Sequence, residues 1–211
     1  MSKCDKYFYV GALFCFLFAA CNKELQPEEF LKDVATDASL NKRQEDEKFR
    51  ISCSYRPAYF LALAELQKSS GNVIPKESFA GEVKKFDNAL YFDFTIGLKN
   101  NKNIVSANVS SQEEYAALIS ELTYNLGRDF YMLANETDTI RAITYNFSNS
   151  YGTSPDARFL FVFSKNSITQ GMKNIALIYD DKVFGINKNI RFDFNATDLT
   201  KKLPDIKFRK S

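Results

Sequence analysis

Leu90, Phe92, Phe94, Ile96 and Leu98 alternate with Tyr91, Asp93, Thr95 and Gly97. In an extended strand, successive side chains point to opposite faces. The run therefore writes one apolar face and one mixed face into a single strand. A helix, with its period near 3.6, cannot keep five such residues on one side. A chain carrying this strand needs a second layer to cover its Phe face. The material is available: twenty Phe and eleven Tyr in 211 residues, with no Trp and no His.

The same period recurs. Phe49, Ile51, Cys53 and Tyr55 alternate with Arg50, Ser52, Ser54 and Arg56, and Pro57 ends the run at a position suited to a first helical turn. Residues 58–68, rich in Ala and Leu, read as a helix closed by Gly71 and Asn72. Pro75 and Gly81 break any long element over 73–85. Residues 99–103 form a polar turn, and 104–109 are expected to return as a partner strand. Ser110 and Ser111, followed by Glu113 and Glu114, offer two overlapping capping boxes. Tyr115, Leu118, Ile119, Leu122 and Leu126 then recur at helical spacing, with Gly127 as the expected C-cap.

Strand patterns resume at 130–133 and 140–147, the second with Ile143, Tyr145 and Phe147 on one face. Residues 159–163 and 175–179 are apolar at every position, as in strands covered on both sides. Asp180, Asp181 and Lys182 turn the chain into a further strand at 183–186. Ile190, Phe192 and Phe194 give the last strong alternation, followed by a helical turn at 198–203 and an edge strand at 206–208. Hairpin-length connections dominate after residue 86. The expectation is α+β, a mainly antiparallel sheet with one or two covering helices, and the alternative is a β-sandwich.

The first residues carry a different message. Lys3 and Lys6 precede an apolar segment at 7–20, which ends at Phe18, Ala19, Ala20 and Cys21. About 14 apolar residues make roughly 21 Å of helix, short of the about 20 residues that span a bilayer. A basic start, a short apolar core and a small-residue boundary are the parts of a secretory signal. The segment from Phe18 to Cys21 resembles the lipobox of bacterial lipoproteins, with Phe18 where that family more often has Leu. The resemblance implies a diacylglycerol on Cys21, cleavage between Ala20 and Cys21, and a body held at the cell envelope, at the outer membrane and facing the periplasm or the surface. A plain signal peptide cut after Ala20 and an uncleaved signal anchor are the other readings. Lys23, Glu24, Glu28 and Glu29 resemble the charged surface-export signals of some Bacteroidota lipoproteins. Asp138, Thr139 and Ile140 resemble an O-glycosylation site of the same group. The expected division is 1–20 signal peptide, 21–48 lipidated Cys and flexible tether, and 49–211 a single α+β domain. A flexible tether of that length reaches about 25–30 Å.

The composition narrows the chemistry. Lys and Arg number 28 against 26 Asp and Glu, a balance with no electrostatic case for nucleic acid. Without His, a Ser-His-Asp or Cys-His centre cannot be built. Cys4 and Cys15 leave with the signal and Cys21 is assigned to lipid, so Cys53 is a single thiol, read as a core residue. With so few soft ligands zinc is disfavoured, and no cofactor is expected. Paired carboxylates remain, with Asp180 and Asp181, Glu113 and Glu114, and Asp93 as candidates; the first pair suits a turn and the second a helix start. Arg56, at the change from strand to helix, and the tyrosines Tyr91 and Tyr145, with Tyr124 and Tyr151, are the candidate binding residues. The expected function is a membrane-anchored, non-enzymatic binding or scaffold module with envelope protein partners. One alternative is a carrier of an apolar ligand, which needs an enclosed pocket of about 300 Å³. The other is a hydrolase with two carboxyl groups roughly 5–10 Å apart.

Overall fold

The computed structural model describes residues 24–45, 47–70, 74–107, 109–168, 172–186, 188–201 and 203–208. Ala20, Cys21 and Lys23, and the expected helix stop at Gly71 and Asn72, lie outside the described residues. In chain order the elements are α1 (Pro27–Thr36), β1 (Asn41–Glu45), β2 (Phe49–Arg56), α2 (Ala58–Ser70), α3 (Lys76–Phe86), β3 (Ala89–Leu98), α4 (Gln112–Tyr124), β4 (Phe130–Ala134), β5 (Asp138–Arg141), β6 (Thr144–Ser148), β7 (Ala157–Ser164), β8 (Asn174–Asp180), β9 (Asn189–Asn195) and α5 (Ala196–Thr200). The fold is α+β. Its strands form two antiparallel sheets, one of five strands in the order β1-β2-β3-β7-β6 and one of four in the order β5-β4-β8-β9.

The two sheets turn their Phe faces toward each other. Phe94 of β3 lies 5.3 Å from Phe130 of β4, 5.2 Å from Tyr179 of β8 and 6.4 Å from Phe192 of β9, ring centre to ring centre. Phe130 stacks on Phe161 of β7 at 3.8 Å, and Phe92 meets Phe194 at 5.4 Å. All of these rings are buried. Burying one such side chain contributes about 1.5–3 kcal/mol, so this shared aromatic layer is the main source of cohesion. Sheet-on-sheet packing and helical cover therefore occur together.

The helices follow from local sequence and from what they cover. Ser111 caps α4, its hydroxyl accepting the Glu114 N–H at 3.1 Å, while the Glu114 carboxylate accepts the Ser110 N–H at 2.6 Å. Of the two capping registers this is the one used. Gln26 and Glu29 form a capping box at α1, with Pro27 in the first turn. Phe79 of α3 meets Tyr59 of α2 edge-on at 5.4 Å, and Phe30 of α1 meets the same Tyr59 at 6.5 Å.

Several expectations are corrected. The stretch 21–48 is not a tether from Leu25 onward, because Leu25, Phe30, Val34 and Leu40 are buried in the core and β1 pairs with β2 along its whole length. Residues 76–86 are helical despite Gly81, which is exposed, and Pro75, which precedes the first turn. Residues 104–107 form a turn in place of a strand; Ile104 and Val105 are nevertheless buried. The expected strand at 140–147 is two strands in different sheets, β5 against β4 and β6 against β7. In β7, Leu160 and Val162 are only half-buried, so one of its faces is less covered than the pattern predicts. No strand forms at 183–186. The Asp181 carboxylate accepts the N–H groups of Val183, Phe184 and Ile186 and the Tyr179 hydroxyl, which fixes a loop there. The edge strand at 206–208 reduces to one parallel bridge between Leu25 and Ile206.

Candidate functional site

Because β2 and β3 alternate, the face turned away from the Phe layer carries Arg50, Ser52, Ser54 and Arg56 beside Gly97, Thr95, Asp93 and Tyr91 in strict register. β1 adds Asn41, Arg43 and Glu45 on one side, and β7 adds Arg158 on the other. At one end α2 and α3 lie against this face. The Phe60 ring sits 4.9 Å from the Arg56 guanidinium, and Phe86 packs edge-on to Tyr91 at 5.7 Å. Away from that end the face is open, with Arg43, Glu45 and Arg158 exposed. The result is a groove of about 360 Å³ whose lining holds four arginines (Arg43, Arg50, Arg56 and Arg158) and three carboxylates (Glu45, Asp93 and Asp156).

The charges in the groove are held unequally. Arg50 donates to Asp156 at 2.7 Å, to the Leu98 carbonyl at 2.6 Å and to the Asn101 side-chain oxygen at 2.7 Å. Gly97 makes this possible: a Cβ there would stand 1.9 Å from the Asp156 Oδ1. Asn101 adopts a left-handed backbone with φ of 59°, which turns the loop so that its amide oxygen meets Arg50. Arg56 donates to Asp93 at 3.4 Å and to the Asn41 side-chain oxygen at 3.3 Å. Glu45 pairs with Lys99 at 3.1 Å. Among the described residues, the side chains of Arg43 and Arg158 have no ion pair. A guanidinium is a planar fork that matches a carboxylate or phosphate with two parallel hydrogen bonds, so these two are equipped to bind an anion.

Of the residues singled out from the sequence, Arg56 lines the groove and Tyr91 stands directly opposite it in register. Tyr91 is half-buried, and burial raises its hydroxyl above the usual range. Tyr145 is not part of this site. It faces the Phe layer, stacks on Phe161 at 5.4 Å and lies over Gly127, where a Cβ would fall 2.7 Å from its ring. Gly127 is thus required by a close approach and not as a helix cap, since α4 ends at Tyr124 with Asn125 as its C-cap and runs into a short 3-10 turn at Leu126–Arg128. The Tyr145 hydroxyl is buried near the backbone of Leu126 and Gly127 without a well-aligned hydrogen bond. Tyr124 and Tyr151 are strongly exposed, and with Tyr91 and Tyr145 on opposite faces of one sheet the four do not build one aromatic surface.

The carboxylate candidates also find places. Asp180 pairs with Lys182 at 3.4 Å, Asp181 closes its loop, and Glu113 and Glu114 are exposed at the start of α4. Asp93 and Asp156 share the groove, but Asp93 stands opposite Leu160, four residues along from Asp156. That offset is about 13 Å along the strand, beyond the separation of a glycosidase pair. Cys53 is fully buried on the Phe side, and burial pushes its thiol up, with the Asp93 charge adding to the effect. Between the sheets, Phe130 stacks on Phe161 at 3.8 Å.

The sequence reading missed Arg43, Arg50, Arg158 and Asp156. The alternation of Arg50 with Ser52 marked a wet face, but Arg43 fell in the presumed tether and Arg158 just outside the expected strand. No helix among the described residues is long and apolar enough to cross a membrane. No protein-family model, curated protein or solved structure matches the chain.

Proposed function

We propose that the chain is a lipid-anchored protein of the cell envelope, held at the outer membrane through acyl chains on Cys21, whose body is a non-enzymatic binding module working through the open face of its five-stranded sheet. The observation that carries the binding half is the groove itself. Beyond the end that α2 and α3 cover, an ordered sheet face is left open among the described residues, and four arginines line it. Two of them are fixed by carboxylates and two are free of ion pairs among the described residues. The anchor half is supported by the basic start, the short apolar segment and Cys21 at its boundary.

The ordered start of the fold changes what the anchor does. Leu25 already donates its N–H to the Asp205 carbonyl at 2.9 Å. Four Cα steps, at most about 14 Å, separate it from Cys21. A lipid on Cys21 would therefore hold the body against the headgroups, where the reach expected of a long tether is absent.

The test is the mature N-terminus by mass spectrometry together with [³H]palmitate labelling. The expected outcome is an acylated Cys21 as first residue, with label lost and the protein released from membranes in Cys21→Ser. Label retained in that variant would sink the anchor.

A further inference from the structure

We infer that the groove binds an acidic sugar chain, with carboxylates of the chain held by Arg43 and Arg158; this rests on the reading of the open sheet face as a binding surface. The pairing of β1, β2, β3 and β7 sets Arg43, Ser52, Thr95 and Arg158 side by side in one row across the sheet. Three inter-strand spacings put the backbone positions of the two arginines about 14 Å apart. Both are exposed, and among the described residues neither side chain has an ion pair. Arg50, one row away on one side, and Arg56, two rows away on the other, are already engaged by Asp156 and Asp93. The row thus ends in two available guanidinium forks and carries two hydroxyl side chains between them.

The composition of the lining selects the ligand. Two anion-binding forks call for a ligand with at least two spaced acid groups. Ser52, Thr95 and the carboxylates Glu45, Asp93 and Asp156 supply acceptors for a ligand that also carries many hydroxyl donors. A uronic-acid chain has both. A nucleic acid fits poorly. Single strands are held by stacking on aromatic rings, and the groove lining contains none.

The experiment is titration calorimetry of the full chain with an oligogalacturonate, with its carboxyl-reduced counterpart of equal length, and with single-stranded DNA. The acidic oligosaccharide is expected to bind, more weakly as salt rises, and the reduced one at least about tenfold more weakly. Arg43→Gln and Arg158→Gln are each expected to weaken binding about tenfold with the thermal midpoint preserved. Thr95→Trp, which fills the middle of the row, should abolish it. Equal affinity for the reduced oligosaccharide, preference for DNA, or full binding by the double Arg variant overturns the proposal. If the reduced oligosaccharide binds as tightly as the acidic one and Thr95→Trp removes that binding, the acidic class falls and the face remains a binding surface. Acidic binding that survives Thr95→Trp overturns both readings.

Discussion

At the residue scale, the arrangement around Arg50 shows how a missing atom positions a charge. Gly97 is buried in the middle of the face, and the Asp156 carboxylate occupies the space its Cβ would need. Gly97→Ala should expel Asp156, free Arg50 from its 2.7 Å partner and lower stability by about 1–3 kcal/mol, read as a shift in the urea midpoint. A midpoint equal to wild type would mean that Asp156 has another position of equal energy. Asp37 supplies a pH test at the same scale. Burial opposes its ionisation, but hydrogen bonds from Lys201 and Ser39 outweigh this and hold its carboxyl at about 2, below the ordinary 3.8. A depressed carboxyl stabilises the fold above its unfolded value, and that contribution disappears as pH falls from about 4 through about 2. Asp37→Asn should cost about 1 kcal/mol at neutral pH once solvent screening is allowed for, and should flatten the stability profile over that acid window.

At the element scale, α3 is a helix of good helix formers with one residue against it. Gly81 sits in its interior, where glycine costs about 1 kcal/mol relative to Ala. A Cβ at Gly81 would meet nothing within 4 Å. What holds α3 is the burial of Phe79 against Tyr59 and Phe208, at 5.4 and 5.0 Å. Gly81→Ala is therefore expected to raise stability by about 0.5–1 kcal/mol in urea unfolding, the opposite sign to the same change at Gly97. Destabilisation by Gly81→Ala would show that the exposed side of α3 is needed for something other than its own helix.

At the scale of the whole molecule, residues 24–45 belong to the body. β1 provides one edge of the five-stranded sheet and, through Arg43, one end of the groove. α1 buries Phe30 and Val34, and Leu25 joins the C-terminal residues through backbone bonds to Asp205 and Lys207. Lys201 also reaches Asp37 at 2.9 Å, so residues 25–37 and 201–207 are tied at more than one point. A chain that starts at Phe49 would expose the apolar surface these residues cover and leave β2 as a raw edge. It should lose cooperative thermal unfolding and aggregate, whereas a true tether could be removed without effect. A truncated protein with the wild-type midpoint would contradict the fold of this segment.

The residues that alternate in β2, β3 and β9 were legible from the sequence, because strand parity assigns each side chain to a face whatever the strand pairs with. The cap at Ser111 was legible for a similar reason, since its hydrogen bonds close within four residues. The place of residues 24–45 was not: Leu25, Phe30, Val34 and Leu40 are scattered through a largely polar stretch, and only a core built by distant strands makes their burial favourable. The split of 140–147 between two sheets was hidden too, because local alternation does not say which partner a strand will find. The groove was least visible of all. Its row joins Arg43 to Arg158 through two intervening strands, and register between segments so far apart in the chain is set by packing of the Phe layer beneath, which no local pattern encodes.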